Sequence, residues 1–225
     1  MISVQLHLDA LQERIDTVTR LLDETHPQST SHIQIPVAPI SREARGLAVV
    51  LLFAAYEHLL TSLTRTLLEG AIKTSVGNRR LRPGFRTFAL VNSAKSVRDS
   101  SPYRLYSTLP KLVQEAEAGG RTCTIDPSSF PVDGSFMKQS QITVWCRLFD
   151  IPDPHRILYR TWLTIDTIVS ERNGVAHGRL TPEEVGRSYT EAEIRQLVSD
   201  WHADWRDFLQ LVGTKAQSRD FFRTP

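Results

Sequence analysis

The feature that most constrains the fold of this 225-residue chain is a long apolar segment at residues 42–73. Apolar side chains recur along it at steps of three or four residues, the spacing of one helix face, at Val49, Phe53, Tyr56, Leu60, Leu63 and Leu67. Further leucines and alanines widen this stripe. A helix that is apolar around so much of its girth has to be covered by other helices, so the segment predicts the central helix of a bundle.

Other segments predict the helices that surround it. Apolar residues recur with helical periodicity in residues 4–24, 156–177 and 191–212, and weaker patterns predict shorter helices near 87–97, 104–119 and 137–150. The sequence shows no strong strand pattern and no internal repeat. The predicted fold class is therefore all-α, a bundle of four main helices plus shorter ones.

Prolines, glycines and small polar residues divide the chain. Residues 1–43 are interpreted as an N-terminal helix and linker, with a short extended segment at 32–37, and residues 44–214 as the main helical domain. Residues 119–136 form an irregular insertion, and such long connections are uncommon unless they are functional or partly disordered. Residues 215–225 are a C-terminal tail. Pro83 and Gly84 predict a turn.

The composition narrows the class of protein. With 40% hydrophobic residues, 23% charged residues and a formal charge of +2, the whole chain does not indicate a nucleic-acid partner. Its two cysteines, Cys123 and Cys146, lack metal-ligand spacing and indicate a reducing compartment. The N-terminus lacks a signal-peptide pattern, and the longest apolar run is about half of the ~20 residues that span a bilayer. We therefore expect a cytoplasmic protein with no membrane segment, no metal and no cofactor.

The sequence RNGVAH, residues 172–177, lies at the end of the helix predicted for 156–177. Arg172 continues an apolar stripe of that helix, whose other members are Leu158, Trp162, Ile165, Val169 and Ala176. A guanidinium group rarely takes a position that packing would give to leucine unless it has a partner. The alternative interpretation is a capped helix end, because Arg172 and His177 complement the helix dipole and Gly178 suits the position after the last turn.

The stretch ERNGVAHG, residues 171–178, resembles the signature of the HEPN superfamily, small all-α domains with an arginine and a histidine near the end of an inner helix. The run LLFAAYEHLLTSLTRTLLEG is similar to the second helix of bacterial HEPN domains. QITVWCRLFDIPDP resembles the helix that precedes the motif in members related to the RiboL-PSP-associated group. The resemblance covers residues 44–211 and implies a HEPN-like bundle, a two-fold dimer and a metal-independent endoribonuclease whose paired motifs line one cleft.

On this resemblance Arg172 and His177 are the catalytic pair, and Asn173 is a motif residue that supports them. Some ribonuclease members also carry an acid six residues before the arginine, and Asp166 stands at that spacing. Asp166 and His177 are eleven residues apart, which is about three helical turns, so Asp166 cannot orient its own His177 directly. We expect it to approach the motif of a partner protomer instead.

The chemistry of RNA cleavage explains why these residue types suit such a site. Without a metal, the 2′-hydroxyl attacks its own phosphate, which requires a base, an acid for the leaving 5′-oxygen and a cation for the phosphate. Histidine titrates near neutrality and serves as either acid or base, and arginine offers a fixed fork of donors to phosphate oxygens. Arg172 and His177 lie about 140° apart around a helix. Either the helix ends before His177, or a second protomer completes the site.

Between Arg79 and Arg98 the sequence carries six basic residues and no acidic one. A local excess of this kind can form a surface that follows an RNA backbone. The candidate RNA-binding residues are Arg79, Arg80, Arg82, Arg86, Lys95 and Arg98. The alternative is a solvated loop and helix face.

The expected function is a metal-independent endoribonuclease that cleaves RNA as a homodimer. It is a candidate component of toxin–antitoxin or antiviral defence, restrained by an antitoxin or another regulatory protein. One alternative is a non-catalytic HEPN protein that binds RNA or nucleotide or serves as a dimerising adaptor. A further alternative is a plain helical structural protein, in which the motif is a coincidence.

Overall fold

The computed structural model describes residues 2–26, 40–134 and 136–225. In these residues the chain forms nine α-helices: α1 (Gln5–Thr25), α2 (Ser41–Lys73), α3 (Pro83–Arg98), α4 (Pro102–Ala116), α5 (Gln139–Leu148), α6 (Pro154–Ile157), α7 (Ile165–Ala176), α8 (Pro182–Arg187) and α9 (Glu191–Lys215). Short 3₁₀ turns join some of them, and the described residues contain no strand. The all-α class is therefore confirmed. Most of the predicted linker, including the extended segment at 32–37, lies outside the described residues.

The helix α2 lies at the centre of the bundle, as its apolar stripe predicts. The helices α1, α7, α8 and α9 all pack against it, and the six residues of the stripe are buried. By length and hydropathy α2 is also the kind of helix that can cross a membrane, but 56% of its most apolar 18-residue window is buried by the rest of the protein. The central helix of a bundle has this character because it is surrounded by other helices.

The helix α8 packs against the start of α2 through a contact between two glycines. A Cβ atom on Gly46 would lie 1.9 Å from the carbonyl oxygen of Pro182. A Cβ atom on Gly186 would lie 1.8 Å from the carbonyl oxygen of Arg42. No real side chain tolerates these distances, so the two backbones touch because both positions lack one.

Aromatic side chains fill the space between α2, α5 and α9. The ring of Tyr56 stacks on Trp205 with centroids 4.7 Å apart and meets Trp201 edge-on at 5.8 Å. The indole N–H of Trp145 donates a hydrogen bond to the hydroxyl of Thr64 at 2.7 Å. The three tryptophans are fully buried. They belong to the core and are not accessible as base-stacking surfaces.

The single helix predicted for 156–177 is wrong, because residues 158–164 separate α6 from α7. The carboxylate of Asp204, on α9, accepts hydrogen bonds from the backbone N–H of Thr161 at 2.9 Å and from its hydroxyl at 2.8 Å. The same carboxylate forms an ion pair with Arg160 at 2.7 Å. A buried side chain thus competes with the helical hydrogen bonds for this N–H, and the chain turns here. The motif therefore lies on a short helix, α7.

The turn predicted at Pro83 and Gly84 is also wrong. Pro83 is the first residue of α3, a position that suits proline because the missing N–H would have no partner there. The chain turns earlier, through the 3₁₀ turn Asn78–Arg80. The helices α3 and α4 then form a hairpin in which α4 packs on α3.

The described residues of the insertion, 119–134 and 136, are irregular, as predicted, with one 3₁₀ turn at Pro127–Ser129. The buried amide of Asn78 donates hydrogen bonds to the Glu115 carbonyl at 2.8 Å and to the Thr124 hydroxyl at 2.9 Å. It also accepts the backbone N–H of Thr124 at 3.0 Å. The insertion is therefore attached to the hairpin near its start, and its later residues reach the neighbourhood of α2.

Candidate functional site

Arg172 lies on α7 at the place where the apolar face of this helix reaches the surface. Ile165 and Val169, the preceding residues of the stripe, are buried, whereas the Arg172 side chain is 28% exposed. Its guanidinium carbon lies 4.4 Å from the centre of the Phe53 ring on α2. A cation over an aromatic face at this distance is stabilised by ~0.5–1 kcal/mol when partly exposed. The contact with Phe53 therefore positions the guanidinium group against α2.

Two polar groups flank the same guanidinium group. Nη1 of Arg172 donates a hydrogen bond to Oδ1 of Asn173 at 2.9 Å. Oε2 of Glu57 lies 3.9 Å from Nη2 of Arg172, which is an ion pair but too long for a hydrogen bond. Within the described residues Arg172 donates no other hydrogen bond, so most of its five N–H donors have no protein acceptor there. The fold therefore orients the guanidinium group but leaves most of its hydrogen-bond donors without an acceptor in this part of the chain.

The irregular insertion reaches this group at Gly134, which has a positive φ of 73°. A Cβ atom on Gly134 would lie 2.9 Å from Oε1 of Glu57 and 3.8 Å from Nη1 of Arg172. The backbone of Gly134 thus lies directly against the Glu57–Arg172 pair and forms one wall of the site. Both the backbone conformation and the lack of space favour glycine at this position.

His177 lies just beyond α7, as its C-cap residue. The helix ends at Ala176, and Gly178 closes it with a φ of +67° while the N–H of Arg179 donates to the carbonyl of Gly174 at 2.8 Å. This is the glycine-terminated helix end that the sequence suggests. Since His177 is off the helix, the helical angle does not fix its side chain relative to Arg172. The imidazole is exposed and makes no hydrogen bond within the part of the chain that the structure describes.

Two contacts that the sequence did not predict hold α7 in place. Gly174, inside the motif, lies under Leu180, since a Cβ atom there would be 2.6 Å from Cδ1 of that leucine. The carboxylate of Glu171 accepts a hydrogen bond from the Tyr189 hydroxyl at 2.7 Å. Burial raises the pKa of Glu171, and the hydrogen bond from Tyr189 offsets part of that rise. Gly174 is part of the motif and could have indicated a close contact there. Nothing in the sequence around Tyr189 indicates its hydrogen bond with Glu171.

Asp166 lies in the first turn of α7, whereas Arg172 and His177 lie toward its end. Its Oδ1 accepts the backbone N–H of Gln139, the first residue of α5, at 2.8 Å. A carboxylate in this position satisfies a free N–H at the start of a helix and complements the helix dipole. Within the protomer, and among the described residues, Asp166 has no hydrogen bond or ion pair with Arg172 or His177.

The six basic residues predicted to bind RNA fall into two groups. Arg82 forms an ion pair with Asp150 at 3.0 Å, and Arg86 donates hydrogen bonds to three backbone carbonyls of residues 78–81. Arg98 is paired with the aspartate that follows it. The remaining three are exposed, and their side chains make no hydrogen bond or ion pair within the described residues: Arg79, Arg80 and Lys95. None of the six shares a hydrogen bond or ion pair with Arg172 or His177 in the same part of the chain.

The other reactive side chains of the described residues do not form a metal site. No group of three or more His, Cys, Asp or Glu side chains is arranged there to hold a metal ion. Both cysteines are free. Burial raises the pKa of the Cys146 thiol to about 12, so this residue is not a thiolate nucleophile near neutral pH. At Arg172, by contrast, a guanidinium group with free donors faces a carboxylate, and an exposed histidine follows five residues later at the end of the same helix.

Comparison with protein families, with characterised proteins and with solved structures finds no match to this chain. The functional interpretation therefore depends on the geometry around Arg172 and His177. That geometry provides an oriented guanidinium group with free donors and an exposed imidazole at the end of the same helix.

Proposed function

We propose that this chain is a metal-independent endoribonuclease of the HEPN type that works as a two-fold dimer. Arg172 would bind the phosphate at the scissile bond, and His177 would transfer protons. The observation that carries the proposal is that Arg172 is held by Phe53 and Asn173 while most of its donors have no acceptor in the described residues. Half-buried arginines with a purely structural role usually satisfy their donors within the fold.

In the proposed reaction the 2′-oxygen of a ribose attacks the adjacent phosphorus, and the bond to the 5′-oxygen breaks. One imidazole takes the proton of the 2′-hydroxyl, and a second, protonated imidazole gives a proton to the leaving 5′-oxygen. The products are a 2′,3′-cyclic phosphate and a 5′-hydroxyl. The guanidinium fork of Arg172 donates to the non-bridging oxygens, for which Glu57 is only a weak competitor at 3.9 Å.

A dimer supplies the second imidazole. Each protomer carries one motif, so the acid and the base require two copies of His177. Because His177 is exposed at the end of α7, it is accessible to a facing copy of the chain. Two motif ends related by a two-fold axis would place two arginines and two histidines around one phosphate.

The first test is cleavage of a mixture of structured and unstructured RNA in EDTA. We expect the wild-type protein to produce ends with 2′,3′-cyclic phosphate and His177→Ala to produce none. His155→Ala is the matched control, because His155 is another exposed histidine, and it should cleave like wild type. Cleavage by His177→Ala at the wild-type rate would contradict the proposal. No cleavage by a folded, dimeric wild-type protein would favour the RNA-binding or adaptor alternative.

Mixed dimers test whether two histidines act together. Wild-type and His177→Ala chains with different affinity tags are co-expressed, and the dimer that carries both tags is purified. We expect its cleavage rate to be at least ~100-fold below that of the wild-type dimer, the usual size of a lost acid–base group. A rate of half the wild-type value would show that each protomer works alone and would overturn the shared site.

A further inference from the structure

The helix α4 differs from the other long helices because none of its residues is buried. One side of it, with Leu105 and Leu112, is half-buried toward α3. The neighbouring side carries a second apolar stripe, which is exposed to different degrees in the described residues. Its members and their exposed fractions are Tyr103 92%, Tyr106 81%, Val113 60% and Leu109 37%.

The two tyrosines in this stripe have no partner in the described part of the chain. Neither ring stacks on another ring and neither hydroxyl takes part in a hydrogen bond there. In contrast, the buried Tyr56 stacks on Trp205, and the half-buried Tyr189 donates to Glu171. Tyr103 and Tyr106 are three residues apart on a helix and therefore lie on the same face. Together with Pro102 and Ser107 they line an open groove of about 510 Å³.

The flank of α4 next to Tyr103 carries two unpaired cations. Arg104 and Lys111 are exposed and form no ion pair within the described residues. They are seven residues apart, which is about two turns, so they form one row along the flank of α4. The acid on this helix, Glu115, is half-buried and accepts a hydrogen bond from Ser93. The flank therefore presents two cations, with no carboxylate paired to either, beside two free aromatic rings.

We propose that this face of α4 binds single-stranded RNA. An unpaired base inserts between the rings of Tyr103 and Tyr106, and the adjacent phosphates lie along Arg104 and Lys111. Only an unpaired base presents its flat face to an aromatic side chain, whereas duplex RNA buries those faces in its own stack. The inference rests on the proposed function, because it gives the ribonuclease site a second contact with the same substrate class.

A second copy of the chain fits this face less well than a nucleic acid does. A stable protein interface takes about 20–30 residues from each side, whereas the stripe offers four apolar side chains on a helix interrupted by Pro110. Pairing two such faces would also bring together flanks of the same charge. The positive flank instead complements a phosphate backbone.

The test measures binding apart from cleavage. Labelled 20-nucleotide oligouridine and a labelled RNA duplex of the same length are titrated in EDTA with His177→Ala protein, with and without Tyr103→Ser and Tyr106→Ser together. We expect the double change to weaken binding of the single strand about tenfold to hundredfold, as the loss of base stacking does, and to leave duplex binding unchanged. The fold should survive, since α4 has no buried residue.

Three controls make the outcome specific. Tyr159→Ser removes an exposed tyrosine from another part of the chain and should not change affinity. Tyr103→Phe with Tyr106→Phe keeps both rings and should bind like the parent protein. Arg104→Ser with Lys111→Ser should lower the slope of log affinity against log salt by about 1.4, roughly 0.7 for each lost phosphate contact.

Equal affinity of the single strand for parent and double-serine proteins would overturn the inference. So would dissociation of the dimer by the double-serine change in sedimentation velocity, because the face would then be a contact between copies. Failure of the proposed function has a different signature. In that case wild-type protein cleaves no RNA, while the binding measurement still reports whether the tyrosines hold a single strand.

Discussion

Arg172 and His177 are five residues apart in the chain, but their surroundings differ in kind. The guanidinium group of Arg172 rests on Phe53, donates to Asn173 and faces Glu57. The imidazole of His177 is exposed beyond the end of α7 and makes no hydrogen bond in the described residues. One chain therefore orients the cation by itself. In the proposed ribonuclease, the position of the imidazole would be set by the substrate or by a second copy of the chain.

The largest expected effect comes from replacing the oriented cation. Arg172→Lys keeps the charge but loses the planar fork, so the rate of RNA cleavage should fall by about 10²–10³-fold. The control is Arg179→Lys, which changes an exposed arginine two residues after His177 and should stay within about threefold of wild type. Single-turnover cleavage with excess protein measures both. A fully active Arg172→Lys variant would show that charge alone matters and that the orientation of Arg172 has no function.

Two glycines, one packed beside Arg172 and one directly after His177, extend this comparison. Gly134 and Gly178 both have a positive φ, of 73° and 67°, so alanine at either position should cost about 1 kcal/mol of unfolding free energy from backbone strain. The Cβ of alanine at Gly134 would also meet Oε1 of Glu57 at 2.9 Å, whereas, apart from its chain neighbours, no described residue lies within 4 Å of a Cβ at Gly178. We expect Gly134→Ala to lose about 2 kcal/mol in urea denaturation, because the Glu57 side chain must also leave its rotamer to make room. Equal losses for the two variants would show that the Glu57 side chain moves aside at no measurable cost.

Helical periodicity predicted the outer parts of the fold well. The predicted ranges 4–24 and 191–212 compare with Gln5–Thr25 and Glu191–Lys215 in the structure, because each of these helices repeats one buried face. The break inside 156–177 could not be read from the sequence, since it depends on the carboxylate of Asp204, 43 positions beyond Thr161. A burial pattern does not report such a distant acceptor.

One missed helix did carry a local signal. Thr181 and Glu184 form a capping box at the start of α8, a pattern that is recognisable before the structure is known. At the site, the motif sequence indicated that Arg172 occupies the apolar face of a helix. The contact of Gly134 with Glu57 and Arg172 was not predictable, because an irregular segment has no periodicity that would position it.

A smaller effect is expected at Asp166, where a substitution tests whether this residue acts only within its own protomer. Asp166→Asn keeps a hydrogen-bond acceptor for Gln139 but removes the charge at the start of α5, so we expect a loss of about 0.3–1 kcal/mol in urea denaturation. Cleavage should stay within about threefold of wild type. A tenfold loss of cleavage at unchanged stability would instead support the expectation that Asp166 acts on the partner protomer's motif.

The smallest expected effect concerns the support of α7 by Glu171. Burial raises the pKa of this carboxyl group in the folded protein, so the folded state favours its protonated form and stability falls as pH rises through that pKa. At pH 7, Glu171→Gln should therefore raise the free energy of unfolding by less than about 1 kcal/mol, because the group is half exposed. A small rise in the melting temperature would report this gain. The gain should vanish as pH falls below about 4.5. A gain that is constant with pH would exclude ionisation of Glu171 as its cause.

The contact between Gly46 and Gly186 bears on the freedom of His177. Only residues 178–181 separate His177 from α8, and α8 is joined backbone to backbone with the start of α2. The backbone that follows His177 is therefore a short segment whose far end packs tightly against α2. A substitution at Gly46 would displace that far end, and so would act on the backbone next to a residue 131 positions later in the chain.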